Sequence, residues 1–446
     1  MTMAGGTWSS QNKVLPGVYI RFKTGTSLGL TVGERGTATI CEPMSWGPVA
    51  QVMEVAAGAD MTPYTGYDIT APQNRFLQEI FKGSNRTSAP TKLLLYRPTA
   101  SGSAQAKVTT GSLTATALYP GARGNDISVV ITELTDPESS FLVTTVVDGV
   151  IVDQQTAAQV SDLVGNNWVT WSGSGALTAT TGVSLAGGLD GTVQSAAYSA
   201  YLQAIEPYAF DVMIYDGEDS SVLTALQSFI IRVNDENGQY CQLCAAEMTN
   251  PDSRYIINVN SPVTLSDGTE LTPQQVTWWA GGASAGAEYY QSLTYATYPN
   301  AVSTDMLTNS QFISELQAGN FVLFAEDGVV KVQQDINSLI TYTEDIGKVF
   351  HKNRVVRLCN TIANSIFQQF SQNFIGVVNN NAAGRARFKT AIVGLMQDIQ
   401  NNQGIQNFSP DDIEVLPGQE IDAIVVNVAI QAVDSVEKIY MTIEVS

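Results

Sequence analysis

The stretch SAAYSAYLQAIEPYAFDVMIYDGEDSSVLTALQSFIIRVNDENGQYCQLCAAE, residues 195–247, decides the fold. SAAYSAYLQAIEPY (195–208) reads as a helix and FDVMIYD (210–216) as a buried strand. SSVLTALQSFIIRVNDENG (220–238) reads as a second helix stopped by Gly238, and YCQLCAAE (240–247) as the next strand. Alternating helices and strands of this kind predict a layered α/β domain. On the N-terminal side the pattern breaks. From about Thr99 to 189 the chain is rich in Thr, Ser, Gly and Val and reads as short strands, KVTTGSLTATALY, DISVVITEL, FLVTTVVDGVIVDQQT and WVTWSG, separated by turn residues. LAGGLDGT (185–192) is a glycine-rich exit linker. If the flanking segments belong to one α/β domain, this all-β module is an insertion in it. Further upstream, PQNRFLQEIFKG around 72–82 spaces Phe76, Leu77, Ile80 and Phe81 as an amphipathic helix closed by Gly83, and LLLYR (93–97) is a short buried strand. LPGVYIRFK (15–23) alternates Val18, Ile20 and Phe22 with Tyr19, Arg21 and Lys23, a strand entered through Pro16-Gly17, and residues 26–60 read as strands and turns.

Downstream, two long helices are predicted, over 344–376 and 384–404, and then two strands, AIVVNVAI (423–430) and KIYMTIEV (438–445). In the closing EKIYMTIEVS, Ile439, Met441, Ile443 and Val445 fall on one face while Lys438, Tyr440, Thr442 and Glu444 fall on the other. A terminal strand this regular needs a partner, in its own sheet or in another chain.

Composition narrows the function classes. The 446 residues suffice for several domains, and 44% hydrophobic content builds ordinary cores. Charged residues make up only 14%, well below the average of about 25%, and the polar surface rests on Thr, Ser, Asn, Gln and Gly, which suits permanent assembly. A net charge of −20 disfavours general nucleic-acid binding. No apolar run is long enough to span a membrane and MTMAGGTWSSQNK holds no apolar signal core, so the expected setting is a reducing cytoplasm in which the four cysteines are thiols. The charge is uneven: residues 100–250 carry 16 acids against 3 basic residues, whereas residues 331–389 carry 8 basic residues against 3 acids. Lys348, Lys352, Arg354 and Arg357 fall at the start of the first long helix, and Arg385, Arg387 and Lys389 at the start of the second. Positive charge there opposes the helix dipole, so the cluster reads either as a solvated face or as a dock for an acidic partner.

Motifs of catalysis are weak. Gly282-Ala283-Ser284-Ala285-Gly286 matches a nucleophile elbow, with Asp305 or Asp327 and then His351 in the right order for a serine hydrolase. The competing reading is a run of small residues that lets backbones approach. His351 lies between Phe350 and Lys352 in a basic helix, and no oxyanion glycine run lies upstream. Cys241 and Cys244 have the spacing of a half metal site, but there is no second pair, and on a strand the two point to opposite faces. No phosphate-binding glycine loop is present, so no catalytic, metal or cofactor residue is assigned.

Several segments together resemble the contractile tail sheath proteins of phages and phage-like particles. LPGVYIRF (15–22) resembles the family's N-terminal PGVY signature, LYPGARGNDISVVI (118–131) its entry to a β domain, and WWAGGASAGAEYYQSLTYATY (278–298) its AG…AG…SLTY stretch. VQQDINSLITYT (332–343), KNRVVRLCNTI (352–362), FIGVVNNNAAGRARFK (374–389) and VDSVEKIYMTI (433–443) follow in order. The compact sheaths of Gram-positive phages, defective prophages and contractile bacteriocins are the most similar. The resemblance implies an α+β multidomain fold: a layered α/β middle domain (26–98 and 190–330), an inserted outer all-β domain (99–189), an α+β C-terminal domain facing the tail tube (331–436), and extended arms at 1–25 and 437–446. It implies hexameric rings stacked around a tube, linked by strands that the arms donate to neighbours, and contraction that drives the tube through the target envelope. The implied partners are copies of this chain, the tube protein, and baseplate and tail terminator proteins, with no direct contact to nucleic acid and no membrane insertion. Assembly is expected in the host bacterial cytoplasm. Pro16, Val18, Tyr19, Ile20 and Phe22, with Ile439, Tyr440, Met441, Ile443 and Val445, are the expected inter-subunit strands, and the seven basic residues named above the expected tube-facing set. The alternatives are the Ser284–His351 hydrolase, another phage structural subunit of the tube or capsid, and a type VI secretion sheath, which is normally two chains.

Overall fold

A computed structural model describes residues 4–7, 11–21, 35–135 and 140–442. The sequence expectations for Phe22, Ile443, Val445 and the strands within 26–34 fall outside those residues. The chain forms two compact units, one of Met1–Ile40, Phe76–Leu94 and Glu206–Ser446, the other of Cys41–Arg75 and Leu95–Ile205.

In the first unit the sheet runs in the order Asn320–Phe321, Ile256–Val259, Gln242–Ala246, Val212–Ile214, Thr37–Cys41, Lys92–Tyr96. The strands from Asn320–Phe321 through to Thr37–Cys41 pair in parallel. Val212–Ile214, Gln242–Ala246 and Ile256–Val259 are buried at every residue, as strands covered on both faces must be. Parallel neighbours need a crossover, and helix Ser220–Asp235 supplies one between Val212–Ile214 and Gln242–Ala246. Its N-terminus is fixed by Asp219, whose carboxylate accepts from the amides of Ser221 and Val222. Gly238, at φ +71°, turns the chain out after the helix.

Helix Pro273–Ala285 lies against this sheet with nearly every residue buried. Thr272 and Gln275 cap it reciprocally. Its GGASAG segment is small because other backbones run across it. A Cβ on Gly281 would sit 2.5 Å from the Ile214 side chain, and one on Gly282 or Gly286 would sit 2.2 Å from the carbonyl oxygens of Ile80 and Ser88. Gly282→Ala is therefore expected to destabilise the subunit by about 1–3 kcal/mol, the usual penalty for overpacking, measured as a lower urea midpoint.

The C-terminal part pairs helices Asn353–Asn373 and Ala382–Asn401 with an antiparallel hairpin, Ile413–Pro417 and Ile424–Val428. Leu358, Ile362, Phe388, Ile392, Leu395, Met396 and Ile413 form its core. The first helix is shorter than the 344–376 expected. The segment Lys348–His351 is instead a 3-10 turn, and Lys352 is extended at φ −88°, ψ 123°. Side chains hold it there: Asn337 donates to the Phe350 carbonyl at 2.8 Å, and Asn353 donates to Asp335 and the Ile336 carbonyl at 3.0 and 2.8 Å. The expected strand at 423–430 forms as Ile424–Val428, but residues 438–442 join no strand.

The second unit is built on two antiparallel sheets, Val150–Ala157, Phe141–Val147, Ile127–Glu133, Thr180–Ser184 and Val169–Gly173, Leu113–Ala117, Lys107–Thr110, each in that order. Inward residues alternate along the strands, for example Ile127, Val129 and Ile131, and share a core with Trp46, Trp168 and Val169. Helix Ser195–Ile205 also belongs to this unit. Arg123, in the PGARG motif, is buried, stacks 4.1 Å from the Tyr67 ring and donates to the Gly66 carbonyl. Gly121 is needed beside it because a Cβ would lie 2.0 Å from the Ser45 carbonyl oxygen.

Candidate assembly surfaces

In the single subunit the N-terminal arm pairs with itself. Gly17–Tyr19 pairs in parallel with Ala4–Gly6, and the Ile20 amide donates to the Gly6 carbonyl at 2.7 Å. The Tyr240 hydroxyl donates to the Gly6 and Ile20 carbonyls at 3.4 and 3.2 Å. Burial pushes the Tyr240 pKa up, which keeps that hydroxyl protonated and donating. Val18 is buried, Tyr19 and Ile20 are half-buried, and Pro16 is exposed. Arg21 closes the strand with an ion pair to Asp345.

The C-terminal segment is tied down up to one residue. The Val433 amide donates to the Gly404 carbonyl at 3.0 Å, and the Gln406 amide to the Gln431 carbonyl at 3.0 Å. Among the described residues the last anchor is Glu437. Its carboxylate accepts from Thr294 Oγ1 at 2.8 Å, from Gln334 Nε2 at 2.5 Å, and from the Lys352 ammonium. Burial raises its pKa, but these donors outweigh burial and hold the carboxyl below the usual glutamate range. The cup is thus at full strength at neutral pH and is lost only as pH falls through that depressed value. Nearby Asp434, 4.0 Å from the same ammonium, is pushed up by burial. Beyond the cup, Ile439, Tyr440 and Met441 are 78%, 91% and 74% exposed. They are three large side chains on an alternating strand pattern, open to water directly after a fixed point.

Comparison with known proteins decides the family. Residues 100–190 match the phage tail sheath protein beta-sandwich domain, residues 191–338 the phage tail sheath protein central domain, and residues 345–446 the phage tail sheath C-terminal domain. The chain is 33% identical, over the full length of both, to the phage-like element PBSX protein XkdK of Bacillus subtilis. The chain belongs to the phage tail sheath family. Its fold is that of the sheath tail protein of Desulfitobacterium hafniense (TM-score 0.84, 39% identity, 95% of this chain and 99% of that one). The sheath tail protein of Listeria innocua is also similar (TM-score 0.78, 30% identity, 92% and 95%). It is a structural subunit of a phage-particle tail, built with other tail components into a multi-subunit assembly.

In this sheath protein the basic cluster divides. Lys348 and Arg387 are exposed, and Arg385 and Lys389 are half-buried, with Arg385 donating to Asn380 at 3.1 Å. Lys352 is committed to the Glu437 cup. Arg354 is buried and donates to the Gln403 carbonyl at 3.3 Å. Arg357 is fully buried: one nitrogen donates to Asp335 at 2.5 Å and to the Gln291 carbonyl at 2.9 Å, the other to Ser284 Oγ at 3.4 Å. Arg354 and Arg357 therefore leave the surface set, because each sits in the interior of its own subunit.

The same geometry accounts for the other motifs. Ser284 is buried in the last turn of helix Pro273–Ala285, not on a strand-to-helix turn, and its hydroxyl faces Arg357. His351 is buried, its pKa is lowered by burial, and its Nδ1 bonds the Leu339 carbonyl at 2.7 Å. Cys241 and Cys244 are buried thiols whose pKa values burial pushes up. Sequence reasoning missed Thr294, Gln334 and Asp335 as supports of the C-terminal segment. All three lie in the SLTY and QQDINSL stretches, but nothing local points them at residue 437.

Proposed function

We propose that this sheath subunit forms hexameric rings stacked around a tail tube, and that strand-donating arms link each subunit to neighbours within and between rings. The observation that carries this reading is the exposed Ile439, Tyr440 and Met441 on a strand pattern that finds no partner in its own chain among the described residues. The acceptor is a neighbour's Ile413–Pro417/Ile424–Val428 hairpin. It is a two-stranded sheet with open edges among the described residues, and Leu416 and Val428 are exposed on it. A two-stranded hairpin is marginal by itself and gains from a third strand. Backbone hydrogen bonds give such a joint strength, and alternate side chains give it register.

In this account residues 1–25 and 437–446 are the arms, 26–98 and 190–330 the middle domain, 99–189 an outward β domain, and 331–436 the domain against the tube. Contraction releases energy stored when the extended sheath assembles, so the subunit acts without an enzymatic site or cofactor. It is made and assembled in the host cytoplasm. Baseplate and terminator proteins bound the stack at its ends. The tube face is the remainder of the basic cluster, exposed Lys348 and Arg387 with half-buried Arg385 and Lys389, set against an acidic tube surface.

The triple variant Lys348→Glu, Arg387→Glu, Lys389→Glu tests that face. The changed residues are exposed or half-buried, so the expected cost to subunit stability is within about 1 kcal/mol. Particles carrying it should show few or disordered sheaths on their tubes by electron microscopy. Normal extended tails would contradict the assignment.

A further inference from the structure

We infer that Glu437 is the positioning residue of the C-terminal arm: its carboxylate, seated in the Thr294–Gln334–Lys352 cup, fixes where the donated strand leaves the subunit and which of its faces is presented. This rests on the arm reading above and adds to it the device that sets exit and register.

The cup draws on three separate segments and is backed by the interior. Thr294 lies in the loop after helix Pro273–Ala285, Gln334 follows strand Val329–Val332, and Lys352 stands immediately before helix Asn353–Asn373. Thr294 Oγ1 donates to Glu437 at 2.8 Å while accepting the Asp335 amide at 2.9 Å. Asp335 is in turn paired with the fully buried Arg357 and accepts from the Leu293 amide at 2.9 Å. The Thr294 carbonyl accepts from Arg86 at 2.6 Å. The anchor therefore stands on a part of the subunit that cannot move without opening its core. The chain changes character at this residue: Glu437 is held by three side chains, whereas Ile439 and Tyr440 are among the most exposed apolar side chains of the protein.

Two consequences follow from strand geometry. In an extended chain side chains alternate, so a fixed Glu437 places Ile439, Met441, Ile443 and Val445 on its own face and Lys438 and Tyr440 on the other. A one-residue slip would exchange the two sets. Reach is also set: measured from the anchor, each extended residue adds at most about 3.6 Å, and loosening the cup adds the residues back to Val433 to that length.

The test reads the arm root and the assembly separately. Lys438 directly follows the anchor, so trypsin cleavage of the Lys438–Ile439 bond requires the chain around Glu437 to lift away. Release of the 439–446 peptide from the purified subunit is followed by mass spectrometry for wild type, Glu437→Ala, Glu437→Gln, Lys352→Met and the Glu437→Ala/Lys352→Met double variant. The expected result is at least fivefold faster release for Glu437→Ala and Lys352→Met. Glu437→Gln should be intermediate, because an amide oxygen still accepts from Thr294 and Gln334. The double variant should add little to either single change, as expected for two halves of one contact. Under assembly conditions Glu437→Ala should give short cylinders with irregular striation, and Glu437→Gln should partly restore order. Wild-type release rates in both single variants, with wild-type cylinders, would overturn the inference even where removing residues 438–446 abolishes assembly. Cylinders that form without residues 438–446 would instead refute the arm reading, while the release rates would still decide whether Glu437 anchors the chain. Lys352→Met lies outside the arm, so it decides the matter should Glu437→Ala fail to fold.

Discussion

Removal of residues 438–446 is expected to leave a folded subunit that no longer forms cylinders. The segment contributes little to its own chain: residues 438–442 are in no strand, and Ile439, Tyr440 and Met441 are mostly in water. Its loss should change the unfolding free energy by no more than about 0.5 kcal/mol, the range of surface changes. In an assembly the same residues would bury Ile439 and Met441 in a neighbour. Each is worth about 1.5–3 kcal/mol on full burial, so losing that pair alone weakens each joint by about 10²- to 10⁴-fold. If every subunit donates this C-terminal arm, as proposed, the loss is repeated at every joint of the polymer. The truncation stops after Glu437 so that the cup stays intact and the effect reports the strand itself. Circular dichroism and thermal unfolding check the fold, and sedimentation with electron microscopy checks assembly. A folded truncated chain that still makes cylinders would contradict the arm assignment.

Asp335→Ala is expected to be the most damaging single change in the subunit. Asp335 and Arg357 are 1% and 0% exposed, and the carboxylate also accepts from Asn353 and from the Leu293 amide. Removing one partner of such a pair strands a charge in the interior, at a cost of about 3–5 kcal/mol. That is a large part of the 5–15 kcal/mol that holds an ordinary domain folded. Urea unfolding at neutral pH measures it. The double variant Asp335→Leu, Arg357→Met should recover much of the loss, because two apolar side chains leave no buried charge. A loss below about 1 kcal/mol for Asp335→Ala would show that the pair is not what joins the DINSL stretch to the 353–373 helix. Charge reversal at Arg357 likewise tests folding and not tube contact.

The sequence made the architecture legible where local pattern and tertiary context agree. Residues 210–247 read correctly because both strands are mostly apolar and buried throughout, and the helix between them carries its own signals, Asp219 before it and Gly238 after it. The small-residue reading of GGASAG likewise matches the close approach of the Ile80 and Ser88 carbonyls. Local pattern failed where a distant side chain decides. Helical spacing runs through 344–376, but Asn337 and Asn353 bond backbone and carboxylate groups across the turn and delay the helix to Asn353. Counting charges put Arg357 on a basic surface, because nothing nearby in the chain reveals that Asp335 waits 22 residues upstream in a closed pocket. The alternation in EKIYMTIEVS was visible, but the significance of its first residue was not: three residues of the cup lie 85 or more positions away in the chain. A single subunit also cannot display a strand whose partner is another copy.

The most direct measurement is an electron cryomicroscopy reconstruction of the assembled sheath, at a resolution that traces the main chain past Glu437. Continuous density should leave the Thr294–Gln334–Lys352 cup and run as a strand along the Ile413–Pro417/Ile424–Val428 hairpin of a neighbouring subunit, with Ile439 and Met441 turned into that subunit's core. Density that returns from Glu437 to the hairpin of its own chain would contradict the account.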